Sequence, residues 1–244
     1  MRPCVAFLPP LLALLGLSAC KKDDSTTTTA SAVVPDVYKK IYGASSIALD
    51  GNYVVIKTKN LPDHKSPYYT GTSYEAYNGS NAAFQKNPNT IQQQSFTYRI
   101  PLNPAEAATK AATPLGSIGV SLNGVAFFNQ YAGPSQPLTN EINSFDQYNG
   151  HPQQTGVYHY HVEPTYLTAS KGRGELLGFL LDGFPVYGPF ENGVAVTNAN
   201  LDAYHGHKHA TVDFPAGTYH YHITSADPYI NGNGFFGTPG TVTQ

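Results

Sequence analysis

The chain carries one stretch of itself twice. Gly119-Val120-Ser121-Leu122-Asn123-Gly124 returns as Gly178-Phe179-Leu180-Leu181-Asp182-Gly183, 59 residues on. Asp146-Gln147-Tyr148-Asn149-Gly150-His151 returns as Asp202-Ala203-Tyr204-His205-Gly206-His207 after 56 residues. Gly156-Val157-Tyr158-His159-Tyr160-His161-Val162 returns as Gly217-Thr218-Tyr219-His220-Tyr221-His222-Ile223 after 61. Three blocks in one order at nearly constant spacing predict two tandem units of about sixty residues, over 117–176 and 177–237. Two copies are too few for a solenoid, so the units are expected to share one core about a pseudo-two-fold axis.

Asn123-Gly124 and Asp182-Gly183 each sit between apolar runs, the short-range signature of a hairpin. They predict strand pairs 117–122 with 125–128 and 176–181 with 184–187. Pro185 is expected to demote its strand to an edge or a bulge. Residues 53–58, 95–100, 157–162 and 218–223 read as further strands. No segment holds a long apolar period of 3.6 residues, and 23 Gly with 19 Pro break the chain often. Residues 61–94 form a long Tyr- and Asn-rich connection, a length that usually means function or ordering by the rest of the fold. The expected fold is all-β, a sandwich or barrel with long loops and little helix, in one domain over 36–244.

The N-terminus reads as an address. Arg2 precedes an apolar run from Val5 to Leu17, followed by Leu17-Ser18-Ala19-Cys20, the layout of a secretory signal. Leu-Ser-Ala-Cys resembles a bacterial lipobox. That implies a signal peptide over 1–19, lipidation (palmitate included) of Cys20, and a membrane partner through the lipid anchor. Residues 20–35 are polar and of low complexity, and are expected to form a disordered tether. Cys-Lys-Lys-Asp-Asp resembles a surface-export signal of bacterial lipoproteins, which implies a surface-exposed outer-membrane location.

Once Cys4 leaves with the signal and Cys20 carries lipid, the domain has no thiol, and Met1 is the single methionine. This excludes disulfides, Cys-based zinc, iron–sulfur clusters, blue copper and Met-rich Cu(I) sites. Fourteen Lys+Arg against sixteen Asp+Glu leave no cationic excess for nucleic acid. No Gly-x-Ser-x-Gly elbow, phosphate loop or dinucleotide fingerprint is present. No catalytic residue is assigned, and enzymatic activity is left open.

Eight of the nine histidines fall between His151 and His222. In a strand, residues i and i+2 share a face, so His159 with His161, and His220 with His222, are expected on one face. Tyr158, Tyr160, Tyr219 and Tyr221 take the other. The Gly-His blocks offer His151 and His207 as third imidazoles, and His205 and His209 add rings in the second unit alone. Imidazoles gathered in an interior are costly without a partner, and a cation accepts their lone pairs at once. The six candidate ligands are therefore His159, His161, His220, His222, His151 and His207. Copper(II) leads on affinity order and zinc follows. Two geometries stay open: one four-His site shared across the pseudo-axis, or a three-His site per unit. Two sites about 3.5–4 Å apart would act as a bimetallic clamp. Asp182, His64, Tyr160 and Tyr221 are candidates for the groups that orient the ligands.

The doubled Gly-x-Tyr-His-Tyr-His block resembles the bacterial YHYH-domain family. Leu61-Pro62-Asp63-His64, Ile118 to Val125 and Leu181 to Pro189 add to the likeness, which runs over roughly residues 60–240. The resemblance implies little about activity. Many relatives carry a Cys near the C-terminal Gly-Phe segment; Gly234-Phe235-Phe236-Gly237 has none, so no role for that thiol transfers. The leading expectation is a lipid-anchored envelope protein holding a divalent transition metal, with room for redox or hydrolytic chemistry. Two alternatives are a glycan or small-molecule module that uses Tyr-rich residues 68–77 as a stacking platform, and a structural domain with a His/Tyr hydrogen-bond network.

Overall fold

The structure, a computed structural model, describes Met1 and residues 33–244. The signal peptide expected over 1–19, the lipidation of Cys20, and the tether as far as residue 32 lie outside the described residues. Residues 33–244 form one compact unit.

Sixteen strands and two short helices follow one another along it. Helix α1 (Asp36–Lys39) leads into β1 (Ala44–Asp50), β2 (Tyr53–Thr58) and, after the long connection, β3 (Phe96–Pro101). The first repeat holds β4 (Ser117–Ser121), β5 (Ala126–Phe128), the small hairpin β6 (Tyr131–Ala132) and β7 (Gln136–Pro137), then β8 (Gly150–Pro152), β9 (Tyr158–Tyr160) and α2 (Thr165–Lys171). The second holds β10 (Leu176–Leu180), β11 (Pro185–Tyr187), the small hairpin β12 (Phe190–Glu191) and β13 (Val194–Ala195), then β14 (Gly206–His209) and β15 (Thr218–His222). Strand β16 (Thr241–Thr243) closes the chain.

The repeats build one eight-stranded sheet in the order β14-β15-β11-β10-β4-β5-β9-β8. Its centre is the antiparallel pair β4 and β10, with Val120 opposite Phe179, Gly119 opposite Leu180 and Ser121 opposite Gly178. Val120 faces its own repeat equivalent, and Gly119 and Ser121 each face the other's, so the predicted two-fold axis passes between Val120 and Phe179. The strands approach closely because Gly119 and Gly178 lack a side chain. A Cβ on Gly119 would lie 2.4 Å from the Phe179 carbonyl oxygen, and one on Gly178 2.2 Å from that of Val120. Both hairpins form as expected, turning at Gly124 (φ +81°) and Gly183 (φ +86°), a conformation that glycine adopts without strain.

Outward from the centre the halves stay matched. Strand β5 runs parallel to β9, with Phe127 beside Tyr160, and β11 runs parallel to β15, with Val186 beside Tyr221. Strand β8 closes one end, antiparallel to β9 with His151 opposite His159; β14 closes the other, antiparallel to β15 with His207 opposite His220.

Two open alternatives are narrowed here. Pro185 does not make β11 an edge, because that strand is paired on both sides; its proline is the first residue, where a missing N–H costs least. The closed barrel also gives way, since β14 and β8 end the sheet order without pairing to each other. The arrangement is sandwich-like. A second, four-stranded antiparallel sheet, β1-β2-β3-β16, joins the two ends of the domain. Its alternately buried residues Val54, Ile56, Tyr98 and Ile100 share a core with Ile118, Val120, Phe127, Phe179 and Leu180.

Candidate metal centres

Every Tyr-His-Tyr-His strand is buried on both faces, so each face must satisfy its own polar atoms. The imidazole face is governed by the main chain. His159 Nδ1 lies 3.0 Å from the Val157 carbonyl and His161 Nδ1 2.5 Å from that of Asn129. The second repeat copies both contacts: His220 Nδ1 meets the Thr218 carbonyl at 3.1 Å and His222 Nδ1 that of Gly188 at 2.8 Å. A carbonyl only accepts, so each Nδ1 carries the proton and each neutral ring keeps its Nε2 lone pair. Burial holds the four rings neutral. His159 lies well below the usual histidine range, His161 is pushed down to about 4 and His220 to about 3, and His222 is lowered; desolvation leads in each case, with neighbouring imidazoles adding to it.

Those lone pairs meet others. In the first repeat His159 Nε2 lies 3.0 Å from His151 Nε2 and 2.9 Å from His161 Nε2. His151 Nδ1 meets Ser144 Oγ at 2.7 Å, and the Ser144 hydroxyl has the Glu141 carbonyl to donate to at 2.8 Å. That leaves Oγ free to accept from His151 and makes the third Nε2 a lone pair as well. Glu141 Oε1 completes the group, 3.1 Å from His151 Nε2 and 3.9 Å from His161 Nε2. Burial pushes the Glu141 carboxyl up, but the neighbouring His151 and His161 more than offset this and leave it lowered. Around a tetrahedral ion with metal–nitrogen bonds of 2.0–2.1 Å the ligand atoms stand about 3.3 Å apart. The close contacts here, 2.9–3.1 Å, approach that spacing.

The second repeat gathers Glu191, His207, His209 and His220 in the same way. His209 Nε2 lies 3.0 Å from His207 Nε2 and 2.5 Å from Glu191 Oε1, which is also 3.9 Å from His222 Nε2. The Nε2 atoms of His220 and His222 are buried with no hydrogen-bond partner, a condition that costs several kcal/mol for a polar group left dry.

All six predicted ligands therefore fall into two groups, three in each, at opposite ends of the sheet. Strands β9 and β15 are five strand spacings apart, about 24 Å along the sheet. A four-His site shared across the axis and a bimetallic clamp are both ruled out by that separation: the antiparallel pairing runs through β4 and β10, and both edges of β9 and β15 are already taken. Sequence reasoning missed Glu141 and Glu191 and treated His209 only as an extra ring. His205 stays apart, with Nε2 3.2 Å from Asn198 Oδ1 and 3.1 Å from Thr224 Oγ1.

The phenol face holds the residues expected to orient the ligands, and the pleat puts them away from the imidazoles. Tyr221 OH donates to Asp182 Oδ2 at 2.5 Å, where Gly237 N–H also donates, and Phe236 stacks on Tyr219 with ring centres 3.6 Å apart. In the first repeat Tyr158 OH donates to Asp146 at 2.9 Å, Asn123 Nδ2 donates to Tyr160 OH at 3.1 Å, and the His64 ring lies against Tyr148 and Tyr158. His64 thus fills the place that Phe236 fills in the other half. Asp182, His64, Tyr160 and Tyr221 support strand packing rather than the ligands, and the phenols are bonded to Asp146, Asn123, Asp202 and Asp182 rather than to the Tyr-His-Tyr-His imidazoles. Of the tyrosines expected to form a stacking platform, Tyr68 is fully buried and Tyr74 half exposed.

A sheet of two equivalent halves, each with a strand that turns imidazoles to one side and phenols to the other, defines a duplicated His-rich β domain. The family model described as YHYH protein matches residues 97–196, which supports assignment to the YHYH-domain family. The match covers the first repeat and the opening of the second; the strand at 218–222 is its structural copy. No curated protein and no solved structure matches the chain.

Proposed function

We propose that the domain binds two divalent transition-metal ions, one in each repeat. The first is held by His151, His159, His161 and Glu141, the second by His207, His209, His220, His222 and Glu191. The observation that carries this reading is the set of four Nδ1–H donations to main-chain carbonyls, which turns four buried Nε2 lone pairs toward other acceptors. Ligating histidines are commonly oriented by such a contact, and lone pairs 2.9–3.0 Å apart repel unless a cation lies among them. A second line of support is the pair of carboxylates. Glu141 and Glu191 are not repeat equivalents, yet each reaches the imidazole cluster of its own half. Copper(II) leads zinc on the affinity order for imidazole-rich sites. We also propose that the domain is tethered through lipid on Cys20 to the outer membrane and faces outward.

Untagged protein purified without chelator is expected to carry about two equivalents of metal, lost on dialysis against a strong chelator and regained with Cu²⁺ or Zn²⁺. Less than about a tenth of an equivalent, with no thermal stabilisation by either ion, contradicts the reading. For the anchor, Cys20→Ala is expected to move the protein from the membrane to the soluble fraction; unchanged fractionation contradicts that part alone.

A further inference from the structure

We infer that the two centres differ in kind: the first is a fixed, structural centre, and the second exchanges its ion with solution through a cleft, with His209 and Glu191 as the outer ligands. This deepens the two-ion reading and rests on it.

The enclosure of the halves differs. In the first, His151, His159 and His161 are 2–3% exposed. The short turn that carries Glu141 and Ser144 is clasped by the long connection 61–94: Tyr68 OH donates to the Ser144 carbonyl at 2.5 Å, Gln85 N–H to that of Asn143 at 2.8 Å, and Asn87 Nδ2 to that of Pro152 at 3.0 Å. The second repeat follows the first directly along the chain, and its carboxylate hangs on the small hairpin β12–β13. That hairpin turns through Asn192 and Gly193, both at positive φ. A cleft of about 460 Å³ opens beside it, with Glu191, His209, His220 and His222 in its wall. A smaller one, about 210 Å³, reaches Glu191 and His207 from the other side.

The donors are graded accordingly. His220 and His222 are buried, as their counterparts His159 and His161 are. His207 is 23% exposed, Glu191 29% and His209 37%. His209 has no imidazole counterpart; 56 residues earlier stands Gln153. The ligand added in the second half is thus the one nearest solvent. An ion arriving through the cleft meets the carboxylate and His209 first, 2.5 Å apart, and then the buried lone pairs behind them. Glu175 in the same wall makes the entrance attractive to a cation. The first half offers an arriving ion only Glu141, its imidazoles being sealed.

Transfer of zinc from the loaded protein to a chromophoric chelator tests this. Two phases of one equivalent each are expected, with rates at least about tenfold apart. The variant with His159→Ala and His161→Ala is expected to lose the slow phase, and the variant with His220→Ala and His222→Ala the fast one. His209→Gln, which gives the second centre the residue of the first, is expected to keep both equivalents at saturating zinc and to speed the fast phase by about tenfold, because an outer ligand is lost. A single phase of two equivalents, a fast phase that vanishes with His159 and His161, or a fast rate unchanged by His209→Gln overturns the inference while leaving the two-ion reading intact. Protein that takes up no zinc overturns both.

Discussion

At the scale of single residues, protonation is dictated by what each Nδ1 can reach. A main-chain carbonyl fixes the tautomer, and burial removes the second proton. Replacing His159 and His161 together by Ala is therefore expected to lower the metal content from two equivalents to one, measured by elemental analysis. His64→Ala is expected to leave it at two while costing about 1–3 kcal/mol in a denaturant titration, because that ring packs against Tyr148 and Tyr158 on the other face. Asp182 gives a pH signature. Burial pushes it up to about 6, against the opposing hydrogen bonds of Tyr221, Gly237 and Phe184. A raised carboxyl contributes stability that is fully present below its unfolded value near 4 and is lost as pH rises through 6. Wild type should therefore lose stability relative to Asp182→Asn between pH 4 and pH 6.5, read from paired unfolding curves. A difference that is flat with pH contradicts the assignment. Very little of this was legible in the sequence. His-x-His on a strand announced a shared face, but Asp182 and His64 stood as candidates for orienting the ligands because type and repeat position say nothing about which side of a pleat a loop lands on.

At the scale of elements, strand pairing decides how many centres there are. The repeat offsets pointed to a two-fold relation, and the Asn-Gly and Asp-Gly turns located both hairpins. Which strands meet at the axis was not readable, because every copy of a strand can in principle pair with its twin. The choice falls on β4 and β10, whose glycines Gly119 and Gly178 let the backbones meet. Gly119→Ala and Gly178→Ala are each expected to cost about 1–3 kcal/mol or more from forced overpacking, with similar effects by symmetry, measured by equilibrium unfolding. A substitution that is silent at one site and severe at the other contradicts a symmetric junction. Glu141 and Glu191 were invisible for a related reason: one is carried by a short helical turn and the other by the small hairpin β12–β13, whose paths depend on contacts distant in sequence, and the two occupy different positions in their repeats. Their only trace in the sequence is an acidic residue within about twenty residues of each Gly-His block.

For the whole molecule, bound ions belong to the folding free energy, because the unfolded chain holds no preformed site. An ion at a hundred times its dissociation constant contributes about 2.7 kcal/mol per centre. For a domain of this size each kcal/mol moves the melting temperature by about 2–4 °C. Chelation is thus expected to lower the midpoint by roughly 5–10 °C per emptied centre, read by calorimetry, with the exposed second centre emptying first. The most direct test of the account is an anomalous-scattering map from crystals of the metal-loaded protein. It should show two peaks toward opposite ends of the eight-stranded sheet, one among the Nε2 atoms of His151, His159 and His161, the other among those of His207, His209 and His220. A single peak on the pseudo-two-fold axis, or no peak at either cluster in protein shown to be saturated with metal, would contradict it.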